Sequence, residues 1–197
     1  VTQMLWINLI MDTFGAMALA SLPPNRKVME SKPRNRNAFI LNKSMYRNIL
    51  GVGIAFFFML LGLVYICQHS DITCVKDFLY LQLGPAGVIT PYEQTLIFSI
   101  FVWTHFWYMF NARAFETERS IFKVRLSGGF RIITAIIVVS QVIIVELLYN
   151  FFNVQPMFHY ADSWAFNTSG ATDWLMIVLL SSIVIWVREA ALMLKKL

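Results

Sequence analysis

Apolar positions gather into five long runs, at about 2–20, 48–67, 94–110, 132–152 and 174–194, with polar, basic or proline-bearing connections between them. Each run approaches the roughly 20 residues that a helix needs to cross the hydrocarbon of a bilayer. Pro23 and Pro24 close the first run, because neither can donate a backbone hydrogen bond to a continuing helix. Arg188 and Glu189 interrupt the last run and are expected to snorkel toward the nearer interface. The pattern predicts an all-α polytopic membrane helix bundle, a single transmembrane domain over residues 1–197 with about five transmembrane helices.

Composition agrees with this pattern. The chain is 58% hydrophobic and 14% charged, with a mean hydropathy of +0.62. A soluble domain is about 25% charged, so an integral membrane protein is expected. The net charge of +5 would suit a nucleic-acid binder, but its distribution argues otherwise. Fifteen of the 16 basic residues fall on one side of the alternating topology, in the 22–47 and 111–131 connections and around the C-terminus. Only Lys76 falls on the other side. The positive-inside rule places those connections and the C-terminus in the cytoplasm, and the first helix then runs inward. The basic cluster at 26–36 reads as a topology signal before a lipid contact. The lipid bilayer is the expected partner, and nucleic acid is not. Val1 stands inside an apolar run with no basic leader before it, which predicts a piece of a longer protein.

The two outer connections carry Asp71, Asp77, Glu93, Asp162 and Asp173, with Tyr80, Tyr92, Tyr160, Trp164 and Trp174 as interfacial aromatics. Cys67 and Cys74 lie at the outer end of the second run, where an oxidising compartment permits a disulfide, although their spacing alone is weak evidence. Asn167-Thr168-Ser169 is a glycosylation sequon on the same side.

The chemistry lies inside the first run. A carboxylate at bilayer depth costs roughly 2.5–3.5 kcal/mol on insertion scales, so Asp12 is expected to face a protein-lined or wet path. Asn8, four residues earlier, would share its helical face. An amide oxygen and a carboxylate are hard ligands of the kind a calcium-like cation takes. The alternative is a polar pair that only holds helices together. His105 is a candidate ion-path residue, although a packing histidine suits its aromatic flanks better. Gln141 and Glu146 on the fourth run are weaker candidates. Gly51 and Ala55, with Gly53 and Gly62 nearby, and Ser181 with Ser182 read as helix-packing positions. No phosphate loop, HExxH or nucleophile elbow occurs, so no soluble catalytic domain is expected.

The stretch LWINLIMDTFGAMALASLPPNRKVMESKPRNRNAFILNKSMYRNILG, Leu5–Gly51, resembles the sixth transmembrane helix and following loop of P-type calcium ATPases. The Asn-x-x-Met-Asp form, Asn8-Met11-Asp12 with Thr13 next, is most similar to the plasma-membrane type. FNAR, Phe110–Arg113, is a second and weaker match. The resemblance implies transmembrane helices six to ten of a ten-helix pump, with Asn8 and Asp12 as calcium ligands. It also implies that the N-terminal remainder of the same pump is the partner, and that ATP and Mg2+ are used by the missing domains. No DKTGT occurs here, so the fragment by itself is not expected to be catalytic.

Met11 stands where two-ion reticulum-type pumps carry Thr, and a thioether is a poor ligand for calcium. Ile97–Phe110 lacks the carboxylate those pumps have on the eighth helix, and His105 lies near the plasma-membrane type's Gln. Both departures argue for one transported Ca2+ per cycle rather than two, and the resemblance implies export from the cytoplasm across the plasma membrane. A secretory-pathway type pump moving manganese as well shares Asn-x-x-Met-Asp and stays open. The chain stops at Leu197, so a calmodulin-binding tail is not expected. The rivals are a secondary transporter or channel subunit, against which the lack of an internal repeat speaks, and a structural membrane scaffold.

Overall fold

The computed structural model describes residues 2–22, 39, 41–69, 83–114, 120–123, 126–158 and 168–194, and every regular element among them is helical. In chain order these are α1 (Thr2–Ala20), α2 (Lys43–Gln68), α3 (Pro91–Arg113), a 3-10 turn (Ile121–Lys123), α4 (Gly128–Glu146), the short α5 (Tyr149–Phe152), α6 (Thr168–Ser181) and α7 (Ile183–Leu194). The 26–36 cluster, Asp71, Cys74, Lys76, Asp77, Tyr80, Tyr160, Asp162, Trp164, Asn167, Lys195 and Lys196 lie outside the described residues.

Four stretches are long and apolar enough to cross a membrane: Thr2–Ala20, Lys43–Gln68, Gly128–Glu146 and Gly170–Leu194, the last running through α6 and α7. The protein is an all-α bundle of an integral membrane protein. The third expected span forms a helix but is not among those four. Its polar residues explain the difference, since α3 buries Glu93, Thr95, Ser99, Thr104, Asn111 and Arg113 against other parts of the chain. Polar side chains on a membrane helix turn toward the bundle interior. α3 is the central post, with its largest interface to α6 and further contacts to α7, α2 and α4.

Local chemistry sets where the helices begin. Thr90 and Glu93 form a capping box: Thr90 N donates to Glu93 Oε2 at 2.7 Å, and Glu93 N donates to Thr90 Oγ1 at 3.3 Å. Gly84 N donates to the other carboxylate oxygen at 3.0 Å, so Glu93 fixes the preceding loop as well. With Pro91 in the first turn, α3 starts at residue 91, ahead of its apolar run. Asn42 caps α2 through Met45 N, and Ser127 caps α4 through Phe130 N.

The span Gly170–Leu194 breaks at Ser182, and α3 holds the break. Trp107 Nε1 donates to Ser181 Oγ at 3.1 Å, and Asn111 Nδ2 donates to the Val184 carbonyl at 2.9 Å. Asn111→Leu removes the side-chain bond to that carbonyl and leaves it the partner within its own helix, which costs about 0.5–1.5 kcal/mol. Its thermal midpoint in detergent is expected to fall, while Asn111→Gln retains part of the stability. An unchanged melt for the leucine variant would show that the break holds without this bond.

Arg188 and Glu189 do not snorkel. Glu189 is buried and accepts from Ile121 N at 2.8 Å, while Arg188 Nη2 donates to the Ala114 carbonyl at 2.7 Å. The two side chains bind backbone at the end of α3 and in the 3-10 turn, so both turn inward. Glu146 is likewise buried: it accepts from Met157 N (3.1 Å), Phe158 N (3.0 Å) and Trp174 Nε1 (2.9 Å). Gln141 is 1% exposed and accepts from Trp6 Nε1 at 3.4 Å.

The small residues of α2 find no close neighbour. A Cβ built on Gly51, Gly53 or Gly62 meets nothing within 4 Å among the described residues. α2 instead presents Ile54, Phe57, Phe58, Leu61 and Tyr65 outward.

Candidate functional site

α1 divides into two faces. Trp6, Ile7 and Phe14 pack on the core, Ala18 is fully buried within it, and the helix makes its main contacts with α4. Trp6 meets Phe152 edge to face with ring centroids 6.2 Å apart, and Gln3 Nε2 donates to the Phe152 carbonyl at 2.8 Å. At the C-terminal end of α1 Ser21 Oγ lies 3.1 Å from Ser127 Oγ. These contacts hold one face of α1 against the scaffold at both ends. The other face, with Leu5, Asn8, Leu9, Thr13 and Met17, is exposed. Asn8 therefore sits on the side turned away from the other helices of this chain.

The middle of α1 is not α-helical. Leu9–Gly15 is a π-helix flanked by α-helical Thr2–Asn8 and Ala16–Ala20. The hydrogen bond in a π-helix runs from i to i+5, and such turns are rare and concentrate at functional sites. Asp12 lies at the centre of this segment. The extra residue per turn changes the expected register. The i, i+4 stacking of Asn8 with Asp12 belongs to an α-helix, whereas the π turn brings position 13 nearer to position 8. Both Asn8 and Thr13 are exposed. Thr13 thus joins the candidate set with a hydroxyl oxygen. Hydrophobic periodicity has no signal for this, because a single widened turn shifts the pattern too little over so short and apolar a run.

His105 lies elsewhere. Its Nδ1 is 2.8 Å from the Phe101 carbonyl, and its ring sits 4.2 Å from Phe101 and 5.1 Å from Phe56. Those partners are on α2 and α3, none on α1. Among the described residues, no three His, Cys, Asp or Glu side chains approach closely enough to hold a metal. The candidate oxygens of Asn8, Asp12 and Thr13 belong to residues along α1.

Long apolar helices packed around α3 define the membrane part of a polytopic helical protein. The family model described as "Cation transporting ATPase, C-terminus" matches residues 1–194, and the chain belongs to that family. Calcium-transporting ATPase 4, plasma membrane-type, of Arabidopsis thaliana is 34% identical over 182 residues, covering 92% of this chain and 15% of that protein. Plasma membrane calcium-transporting ATPase 2 of Oreochromis mossambicus is 32% identical over 161 residues, covering 79% of this chain and 14% of that protein. Plasma membrane calcium-transporting ATPase 4 of Bos taurus is 34% identical over 152 residues, covering 73% of this chain and 12% of that protein. The likeness read in Leu5–Gly51 to the C-terminal region of P-type calcium ATPases thus extends over most of the chain, which spans about one seventh of such relatives.

Proposed function

We propose that this chain is the C-terminal membrane part of an ATP-driven pump that exports Ca2+ from the cytoplasm, with Asn8 and Asp12 supplying part of the intramembrane ion site. The observation that carries this reading is the π turn Leu9–Gly15 around Asp12, on a helix whose Asn8 face is left open by the scaffold. The named relatives, all calcium-transporting ATPases, support calcium over other cations.

Calcium enters from the cytoplasmic side, and Asp12 with Asn8 replaces part of its water shell with hard oxygen ligands. Phosphorylation by ATP, carried out by domains outside this chain, shifts α1 and weakens that coordination, so that the ion leaves outward. The positive-inside count supports a cytoplasmic C-terminus and the plasma membrane reading of the relatives' names. Helices α2 to α7 form the scaffold against which α1 works. His105, held by Phe101 and Phe56, serves that scaffold as a packing residue.

Met11 and the absence of a carboxylate in Ile97–Phe110 support one ion per cycle. The full-length pump in sealed vesicles is expected to take up about one Ca2+ per ATP hydrolysed, measured as isotope uptake against phosphate release. A ratio near two would refute the single-site assignment. Manganese uptake at equal efficiency would move the assignment to the secretory-pathway type.

A further inference from the structure

The 3-10 turn Ile121–Lys123 between α3 and α4 divides its side chains. Ile121 is buried, whereas Phe122 is 69% exposed and Lys123 is exposed. The Phe122 ring lies 6.2 Å from that of Trp186 on α7, itself 60% exposed. Leu126 is also exposed, and Arg131 follows on the first turn of α4. Two large aromatic rings beside a lysine, all facing outward, suit the boundary between acyl chains and headgroups, where aromatic belts lie.

The lengths of the helices put the turn at that depth. α4 has 19 residues, about 27 Å at 1.5 Å per residue, between Glu146 and Gly128. Trp186 lies about 24 Å along its span from Gly170. The hydrocarbon is about 30 Å thick, so with Glu146 and Gly170 at one margin, Gly128 and Trp186 come near the other, and Phe122 lies beside Trp186.

Backbone at that depth must find its partners in the protein, because lipid supplies none. Ile121 is served on both sides: its N–H donates to Glu189 Oε1 at 2.8 Å, and its carbonyl accepts from Arg113 Nη2 at 2.9 Å. The Ala114 carbonyl, at the end of α3, accepts from Arg188 Nη2 at 2.7 Å. Arg113 in turn lies over the Phe110 and Phe130 rings, 5.6 and 5.1 Å from their centroids. Two buried charged side chains, Arg113 and Glu189, and the half-buried Arg188 thus serve this backbone.

We infer that the 3-10 turn Ile121–Lys123 is a membrane anchor. Phe122 and Trp186 rest among the acyl chains of the leaflet on the basic side, and Lys123 with Arg131 contacts the phosphates of anionic phospholipid. The inference is independent of which ion is transported. It takes from the proposed orientation only the anionic character of that leaflet.

The test uses the full-length protein in vesicles of phosphatidylcholine with phosphatidylglycerol, carrying a nitroxide at Phe122→Cys or, in a second variant, Trp186→Cys. Both positions are exposed, so the substitutions leave the bundle intact. Collisions of the label with oxygen are expected to exceed those with an aqueous nickel chelate several-fold, as for a label at the outward-facing Phe58 of α2. A label that meets the chelate freely, or one screened from both reagents, overturns the anchor. Phosphatidylglycerol is expected to slow the label at 122 relative to pure phosphatidylcholine, and Lys123→Gln to remove that slowing. Slowing that survives Lys123→Gln overturns the headgroup contact. An inverted protein would still show the oxygen preference, so failure of the orientation is distinguishable from failure of the anchor.

Discussion

Asp12→Asn in the full-length pump is expected to abolish calcium-dependent phosphoenzyme formation while membrane insertion proceeds normally. The substitution keeps the shape of the side chain and removes its charge. Insertion becomes easier, since an amide at bilayer depth is less costly than a carboxylate. Calcium binding becomes much weaker, because removing the charged member of a buried pair typically costs about 3 kcal/mol or more. At 1.4 kcal/mol per tenfold, that is at least about a hundredfold in affinity. Asn8→Ala removes a neutral oxygen and is expected to weaken calcium less. The readout is phosphoenzyme formed from labelled ATP across a calcium titration, with phosphorylation from inorganic phosphate in the absence of calcium as the control for folding. Normal calcium dependence in Asp12→Asn would remove Asp12 from the ion site. Thr13→Val adds a test of the π register: if the widened turn places position 13 beside Asn8, this variant also loses calcium affinity.

The second large effect lies where the 153–158 segment meets the start of α6. A Cβ built on Gly170 would overlap the carbonyl of Met157, a backbone group that cannot rotate away. The 153–158 segment is drawn over the start of α6 by Glu146, whose carboxylate takes the N–H groups of Met157, Phe158 and Trp174. Gly170→Ala must therefore push α6 out or break those hydrogen bonds. Overpacking of this kind costs about 1–3 kcal/mol, and more where backbone meets backbone. Glu146→Gln replaces an acceptor of three donors with a group that is half donor, so at least one N–H loses its partner at about 1–3 kcal/mol. Both variants are expected to melt well below the parent in detergent, and the double variant by less than the sum, because they loosen one clasp. Strict additivity would show that the two residues act separately.

The end of the bundle at Arg188 and Glu189 carries the opposite lesson about charged residues in apolar runs. Arg188 and Glu189 read from sequence as side chains leaving the membrane, because an isolated charge at that depth has nowhere else to go. Their partners, Ala114 and Ile121, lie far away in the chain, in a segment that periodicity assigns to a simple cytoplasmic connection. The start of α3 is a different case, a local signal that apolar length alone passes over. Its apolar run begins at residue 94, but Thr90 and Glu93 start the helix at 91 through a capping box that the sequence spells out.

The sequence by itself determined that this is a helical membrane protein, approximately where its helices lie, and which family it resembles. Those properties follow from local composition: apolar length, the bias of Lys and Arg, and the Asn-x-x-Met-Asp stretch are all readable without knowing what touches what. Tertiary structure decided that α3 is the post sheathed by its neighbours, that Glu146, Arg188 and Glu189 bind distant backbone, and that α1 widens into a π turn with Asn8 facing outward. These outcomes depend on which groups are left without water when helices pack. That is a property of the assembled bundle and of no single segment.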